Sequence, residues 1–449
     1  MVAFSCRYTV IKMSNNRVSM QKQCLPCPKP KRIYNTKIFI NTQCPFLWQF
    51  NMFKLQVILT SVVLAATVDI NKPEQLLVAT KKIAAQLMSY YTPKTSTEGS
   101  IHPNSKDGPD GFQWYEGGVM WGMMMEYQKL TGDDQYKTTV TNGLTLASSG
   151  TIGSFLGKNR ATSISIKGKW NDDILWWALG SLYGAEIYPV NTVMPKGVTY
   201  FQLAQNTYDD VWGDWETATC KNNPGGLYWS KDRTDAERKH VKSTITHAQQ
   251  IMMGARLSII NRNQTYLENA DKMVKWMRRG LIAENFTIFD NVKAFSVDSC
   301  ALYIDLRSYN AGMLAGSLGW LYKATEKDEY IKLGENIVAA SLPTYTLNNI
   351  VYDPCEKTQT CPQNQVLPKG AYIRGLGDLY MFSKNVTLKA QLKSLMQNTA
   401  KALLPLCDDN FNCNSNYWSA GKVEPRNVHF QMNALELFNT LLKINTAPD

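Results

Sequence analysis

Between residues 68 and 449, apolar side chains recur three and four positions apart in one segment after another, the spacing of helices with a buried face. The clearest runs are GGVMWGMMMEYQKLTG (117–132), closed by Gly132, and DDILWWALGSLYGAEIY (172–188), stopped by Pro189. STITHAQQIMMGARLSIINR (243–262), YLENADKMVKWMRRGLI (266–282), SYNAGMLAGSLGWLYKATEK (308–327) and EYIKLGENIVAASLP (329–343) follow. GDLYMFSK, LKAQLKSLMQNTAKALLP (388–405) and HFQMNALELFNTLLKI (429–444) complete the series. Runs rich in Gly and Ala and apolar all round (117, 308) alternate with amphipathic ones (266, 329). A ring of inner helices backed by a ring of outer helices produces that alternation. The pattern therefore predicts one all-α domain over 68–449, a toroid of paired helices.

Composition changes the picture mainly at the N-terminus. The chain carries a formal charge of +11, but nine of its 48 Lys and Arg fall within the first 54 residues, where no Asp or Glu occurs. The other 39 nearly balance the 37 acidic residues, so the body has no electrostatic footprint for nucleic acid. From Met52, MFKLQVILTSVVLAATVDI has the layout of a secretory signal peptide over 52–67: Lys54, a short apolar stretch, then small residues. Residues 1–51 then read as a structureless basic leader, or as a stretch upstream of the true start at Met52.

Six cysteines lie in the body: Cys220, Cys300, Cys355, Cys361, Cys407 and Cys413. Proximity pairs 355 with 361 and 407 with 413 and leaves 220 with 300, although six cysteines admit 15 connectivities. Glycosylation sequons stand at Asn263, Asn285 and Asn385. These features predict a secreted, disulfide-bonded glycoprotein, extracellular or in a cell wall. The terminal NTAPD has no hydrophobic tail, so a lipid anchor of the GPI type is not expected, nor a membrane anchor of another kind. A monomer is expected.

Most familiar catalytic patterns are missing: there is no GxSxG, P-loop, GxGxxG or HExxH, and the four histidines are not spaced as ligands. No metal site and no cofactor are expected. The segment GKWNDDILWW (168–177) differs. Asp172 and Asp173 are adjacent at a helix start beside Trp170, Trp176 and Trp177. One Asp there would serve as a cap. Two crowded carboxylates in a partly apolar setting push their pKa values apart, one ionised and one holding its proton, which is the pair that glycoside hydrolysis requires. Trp212, Trp215, Tyr228 and Trp229 fall in a Gly- and Asn-rich stretch and are candidates for a sugar-stacking platform.

Together with CKNNPGGLYWSKDR (220–233), STITHAQQIMMGARL (243–257), YNAGMLAGSLGWLYKAT (309–325) and LPKGAYIRGLGDL (367–379), the segments around 117–133 and 171–186 resemble glycoside hydrolase family 76. That family comprises the α-1,6-mannanases and the fungal cell-wall proteins of the Dfg5/Dcw1 group. The stretches run in the family's order over most of 75–440. The resemblance implies an (α/α)6 barrel, endo-cleavage of α-1,6-mannan and retention of configuration. It makes Asp172 the nucleophile and Asp173 the general acid/base, and it places Trp229, Tyr309, Asn310 and Arg374 near the subsites. With Trp121, Asn171, Trp176, Trp177 and Tyr228, these form the candidate substrate-binding set. The KNNP insertion after Cys220 and His247 in place of an Asn depart from the pattern. Two other readings remain open. One is a transglycosidase that moves GPI-linked mannose onto wall glucan through the same site. The other is a non-catalytic sugar-binding toroid.

Overall fold

The computed structural model describes residues 4–14, 17–26 and 68–447, apart from 94–98, 102–111, 149–153, 156–169, 359–360, 362–366, 423 and 425–426. The expected signal peptide lies outside the described residues. In the basic leader, β1 (Phe4–Ser14) pairs antiparallel with β2 (Arg17–Pro26), with a register shift between Val10 and Lys12.

The body contains twelve α-helices among the described residues. They are α1 (Pro73–Met88), α2 (Trp114–Thr131), α3 (Lys137–Ala147), α4 (Asn171–Ile187), α5 (Tyr200–Trp212), α6 (Thr244–Asn261), α7 (Gln264–Met277), α8 (Ser308–Thr325), α9 (Asp328–Tyr345), α10 (Pro368–Phe382), α11 (Val386–Leu403) and α12 (Val428–Thr446). The even-numbered helices are buried almost all round and form the inner ring. Each packs on the next, and α12 returns to α2, which closes an (α/α)6 barrel. The odd-numbered helices bury one stripe against that ring, as their amphipathic sequences require. No described helix is long and apolar enough to cross a membrane.

Local chemistry sets the ends. Gln113 and Glu116 form a reciprocal capping box at the start of α2, with the Gln113 amide donating to Glu116 Oε2 at 2.7 Å. Gly132 ends α2 in the left-handed region at φ 69°. Inner helices approach closely where glycine permits. A Cβ on Gly375 of α10 would lie 1.9 Å from the Gly312 carbonyl oxygen of α8. Gly375→Ala is therefore expected to cost about 1–3 kcal/mol through overpacking. Urea unfolding should read this as a lower midpoint at constant slope.

Three short strands, β3 (Val241–Ser243), β4 (Asn291–Ala294) and β5 (Cys300–Tyr303), form an antiparallel sheet in that order on the connections before α6 and before α8. A second pair, β6 (Thr346–Leu347) and β7 (Ile350–Val351), follows α9. The three expected disulfides are present: Cys220–Cys300, Cys355–Cys361 and Cys407–Cys413, with Cα separations of 5.7, 5.0 and 3.9 Å. The first closes an 80-residue loop and ties the segment after Trp215 to β5. Asn263, Asn285 and Asn385 are all exposed. The side-chain oxygens of Asn263 and Asn385 also cap α7 and α11.

Candidate active site

A cavity of about 450 Å³ opens where the inner helices begin. Its wall takes Tyr115 and Val119 from α2, Asp172, Asp173 and Trp176 from α4, Ile245 from α6, Tyr309 from α8, and Pro368 and Ala371 from α10. Each of these residues stands in the first two turns of its helix. The free N–H groups and positive dipole ends of five helices thus converge on one mouth, a setting that favours negative charge. Gln113, Trp170, Trp229, Arg238 and Leu367 complete the rim.

The Asp pair occupies the second and third positions of α4, and the capping position is Trp170, which makes no side-chain cap. A register of main-chain contacts holds this end in place. The Asn171 amide donates to the Trp229 carbonyl at 2.8 Å, and Trp170 bridges Ser230. The Asn171 side chain donates to the Tyr228 carbonyl at 2.7 Å and to Asp214 Oδ2 at 2.8 Å. Lys231 locks the far side by pairing with Asp210 at 2.6 Å and Asp214 at 2.8 Å. The Trp170 and Trp229 rings then stand 5.6 Å apart on the cavity wall.

Burial raises the Asp172 carboxyl to about 7. The first-turn amides of 172 and 173 and the Trp229 indole oppose that rise, whereas the nearby Asp290 adds to it. Asp172 Oδ1 is buried and has no hydrogen-bond partner among the described residues, as is also true of one carboxylate oxygen each on Glu126 and Asp378. Burial, followed by the charges of Glu116, Asp173 and Asp172, lifts the Tyr115 phenol well above its usual range, so Tyr115 offers a neutral O–H beside the pair. Asp290 is itself positioned: Asn310 donates to its Oδ1 at 2.8 Å, Tyr309 to the same oxygen at 3.4 Å, and Asn291 to Oδ2 at 2.7 Å.

The candidate set divides accordingly. Asp172, Asp173, Trp176, Trp229 and Tyr309 share the cavity wall. Asn171 and Asn310 are buried behind it, the first holding the α4 entrance and the second holding Asp290. Trp121 is not a wall residue: it is fully enclosed, donates to the Gly99 carbonyl at 2.8 Å and packs edge-on against Tyr91. Trp177 is likewise core, stacked on Trp114. Arg374 lies deeper in the barrel, bonded to Glu436. Tyr228 stacks under the Arg233 guanidinium, 3.4 Å from its ring centre, and lies off the cavity wall.

The sugar platform expected from Trp212, Trp215, Tyr228 and Trp229 is reduced to Trp229. Trp212 stacks on Trp215, and Trp215 is wedged against His247 and Trp276. Gly225 and Gly226, at φ 116° and 99°, fold this stretch back over the rings. His247 is structural: its Nε2 accepts from the Leu227 amide at 2.9 Å, and burial holds it neutral, down to about 3. Sequence reasoning missed Gln113, Tyr115, Arg238, Ile245 and Ala371, and also Asp290. The stretches around Gly117 and Leu367 pointed to some of their neighbours, but nothing local marked Asp290 or Arg238.

The model of glycosyl hydrolase family 76 matches residues 75–448. The chain is 26% identical over 396 residues to mannan endo-1,6-alpha-mannosidase DCW1 of Saccharomyces cerevisiae, covering 86% of this chain and 83% of that protein. Among solved structures, Dfg5 from Chaetomium thermophilum in complex with glucosamine superposes with a TM-score of 0.71 at 23% identity, over 85% of this chain and 93% of that one. An inactive variant of the α-1,6-mannanase of Salegentibacter sp. HEL1_6, with two consecutive aspartates replaced and α-1,6-mannotetrose bound, gives 0.66 at 14% identity, over 82% and 99%.

Proposed function

The chain belongs to glycosyl hydrolase family 76, and from that premise we propose that it is a retaining endo-α-1,6-mannosidase whose chemistry is done by Asp172 and Asp173. One observation carries the reading: Asp172 and Asp173 share an aromatic-walled cavity at the positive ends of five helices. In this reading Asp172, although burial raises it to about 7, attacks the anomeric carbon from its ionised fraction and forms the mannosyl-enzyme, so the productive form is the one with the proton on Asp173. Asp173 protonates the departing glycosidic oxygen and then takes a proton from the incoming water. Trp170, Trp176 and Trp229 stack on the apolar faces of the sugar rings. The cysteine bonds, the exposed sequons and the fungal relatives support action outside the cell or in its wall.

The burial that raises Asp172 has a signed consequence. A nucleophile with a pKa of about 7 is ionised above that pH and largely protonated below it, with roughly one part in a hundred left as carboxylate two pH units lower. The kcat/KM of the free enzyme is expected to fall about tenfold per pH unit below about pH 7. A limb that instead falls as pH rises through 7 would exchange the roles of the two aspartates.

A covalent mannosyl-enzyme also allows transfer, because a sugar hydroxyl can take the place of water as acceptor. The resemblance of the sequence to the Dfg5/Dcw1 group of cell-wall proteins keeps this second reading. Incubation with linear α-1,6-mannan, with and without a β-glucan acceptor, separates the two. New reducing ends from mannan alone support the hydrolase. Mannose-labelled glucan without new reducing ends supports the transglycosidase, and neither product sinks both.

A further inference from the structure

Two of the three sequons open helices of the outer ring. Asn263 caps α7, its Oδ1 accepting from the Thr265 amide at 3.0 Å. Asn385 caps α11, its Oδ1 accepting from the Leu388 amide at 3.1 Å. In both, the oxygen is engaged and the Nδ2 has no partner among the described residues. Every residue of the triplets 263–265 and 385–387 is exposed. Val386, in the middle of the second, is 78% exposed, more than any other large apolar side chain among the described residues. The connectivity puts both triplets at one end of the barrel. The inner helices begin at the catalytic mouth, so α6 and α10 finish at the opposite end, and α7 and α11 start there after the short connections 262–263 and 383–385. Asn285 differs: it lies on the connection that leads from the end of α7 back to the mouth, it caps no helix, and Thr287 of its triplet is partly buried.

We propose that Asn263 and Asn385 each do two jobs, carrying an N-linked oligosaccharide on Nδ2 while Oδ1 goes on capping the helix, so that the end of the barrel opposite the catalytic mouth is its glycosylated end. The step takes a lipid-diphosphate-linked oligosaccharide as co-substrate of the transferase met on the secretory route. Nδ2 attacks the anomeric carbon, the N–C bond forms, the C–O bond to the diphosphate breaks, Nδ2 gives up one of its two protons, and the lipid diphosphate leaves. The amide oxygen takes no part in that exchange, so its hydrogen bond to the first turn survives the modification. A sugar on Asn385 also covers Val386, apolar surface that the fold itself leaves in water. Glycans at this end stand away from Asp172 and Asp173 and leave the mouth open to a polymer. The proposal rests on passage through the secretory route and not on which bond the site cleaves.

The test expresses the chain in a secreting yeast, once from Met1 and once from Met52, and maps the purified products by peptide mass spectrometry before and after a peptide-N-glycosidase. Asn263 and Asn385 should each carry sugar in at least one product and should return as Asp after the treatment. An unmodified Asn263 or Asn385 in both products overturns the assignment at that position. Hydrogen exchange then reads the cap at the Thr265 and Leu388 amides. Asn263→Asp and Asn385→Asp lose the glycan and keep an oxygen acceptor, so these amides should exchange at the wild-type rate. In Asn263→Ala and Asn385→Ala they should exchange about fivefold faster. Ala variants that exchange as slowly as wild type overturn the capping role, as do Asp variants that exchange as fast as the Ala ones. Each of these readouts stands whether or not the protein cleaves mannan, so failure here and failure of the mannanase reading are told apart.

Discussion

Replacing Asp172 by Asn is expected to lower mannan cleavage by at least about 10⁴-fold while leaving the barrel folded. The amide keeps the shape of the side chain and cannot form the mannosyl ester. Asp173→Asn should cost less, about 10²–10⁴-fold, because it removes proton transfer but leaves the nucleophile. The two losses should not multiply, since the residues serve one covalent sequence. Stability should move the other way. The folded-state pKa of Asp172 is raised, so its contribution is fully present below the unfolded value near 4 and is lost as pH rises through about 7. Thermal melting of Asp172→Asn should therefore match wild type near pH 4 and equal or exceed it at pH 8. A variant that is inactive but melts far below wild type at pH 8 would mean that Asp172 holds the fold rather than the chemistry.

Lys443→Met is expected to be among the most destabilising single changes, by about 3–5 kcal/mol. The middle and far end of the barrel interior are polar. The Lys443 ammonium lies 2.5 Å from Glu126 and 2.6 Å from Asp378, all nearly inaccessible to water. Tyr183 donates to the same Glu126 oxygen at 2.8 Å, and Arg374 bonds Glu436. Burial would raise Glu126, but Lys443 and then Arg374 overcome it and hold the carboxyl at about 2. Its stabilising contribution is present above about 4.5 and is lost as pH falls through 2. Removing the cation leaves two carboxylates buried together without compensation. Chemical denaturation at pH 7 reads the loss. Adding Asp378→Asn to Lys443→Met should recover part of it, because the two share one contact. Additive losses would mean that the pair is not coupled.

The barrel was legible in the sequence where a helix had to be apolar all round. GGVMWGMMMEY and YNAGMLAGSLGWLY cannot be surface helices, and both are inner ones. The outer helices α1, α3 and α5 left weaker marks. KTTVTNGLTLA of α3, for example, has β-branched residues and a glycine, and it is helical because it packs on the ring. The three-stranded sheet was invisible for a related reason: its strands are three or four residues long and owe their pairing to the loops that present them. At the site, adjacent acids beside tryptophans identified the α4 entrance. Sequence could not distinguish wall aromatics from core ones. Trp176 and Trp177 are neighbours on one helix, yet one faces the cavity and the other is stacked on Trp114. Nor could it find Asp290, whose part comes from contacts with α8, 19 and 20 residues further along the chain.

The most direct measurement is the anomeric proton spectrum of freshly released ends while the purified protein digests linear α-1,6-mannan. Two consecutive displacements at one carbon, the first by Asp172 and the second by water, give α-configured ends before mutarotation produces the β form. The β anomer appearing first would require water to attack directly, and it would contradict the covalent role assigned to Asp172.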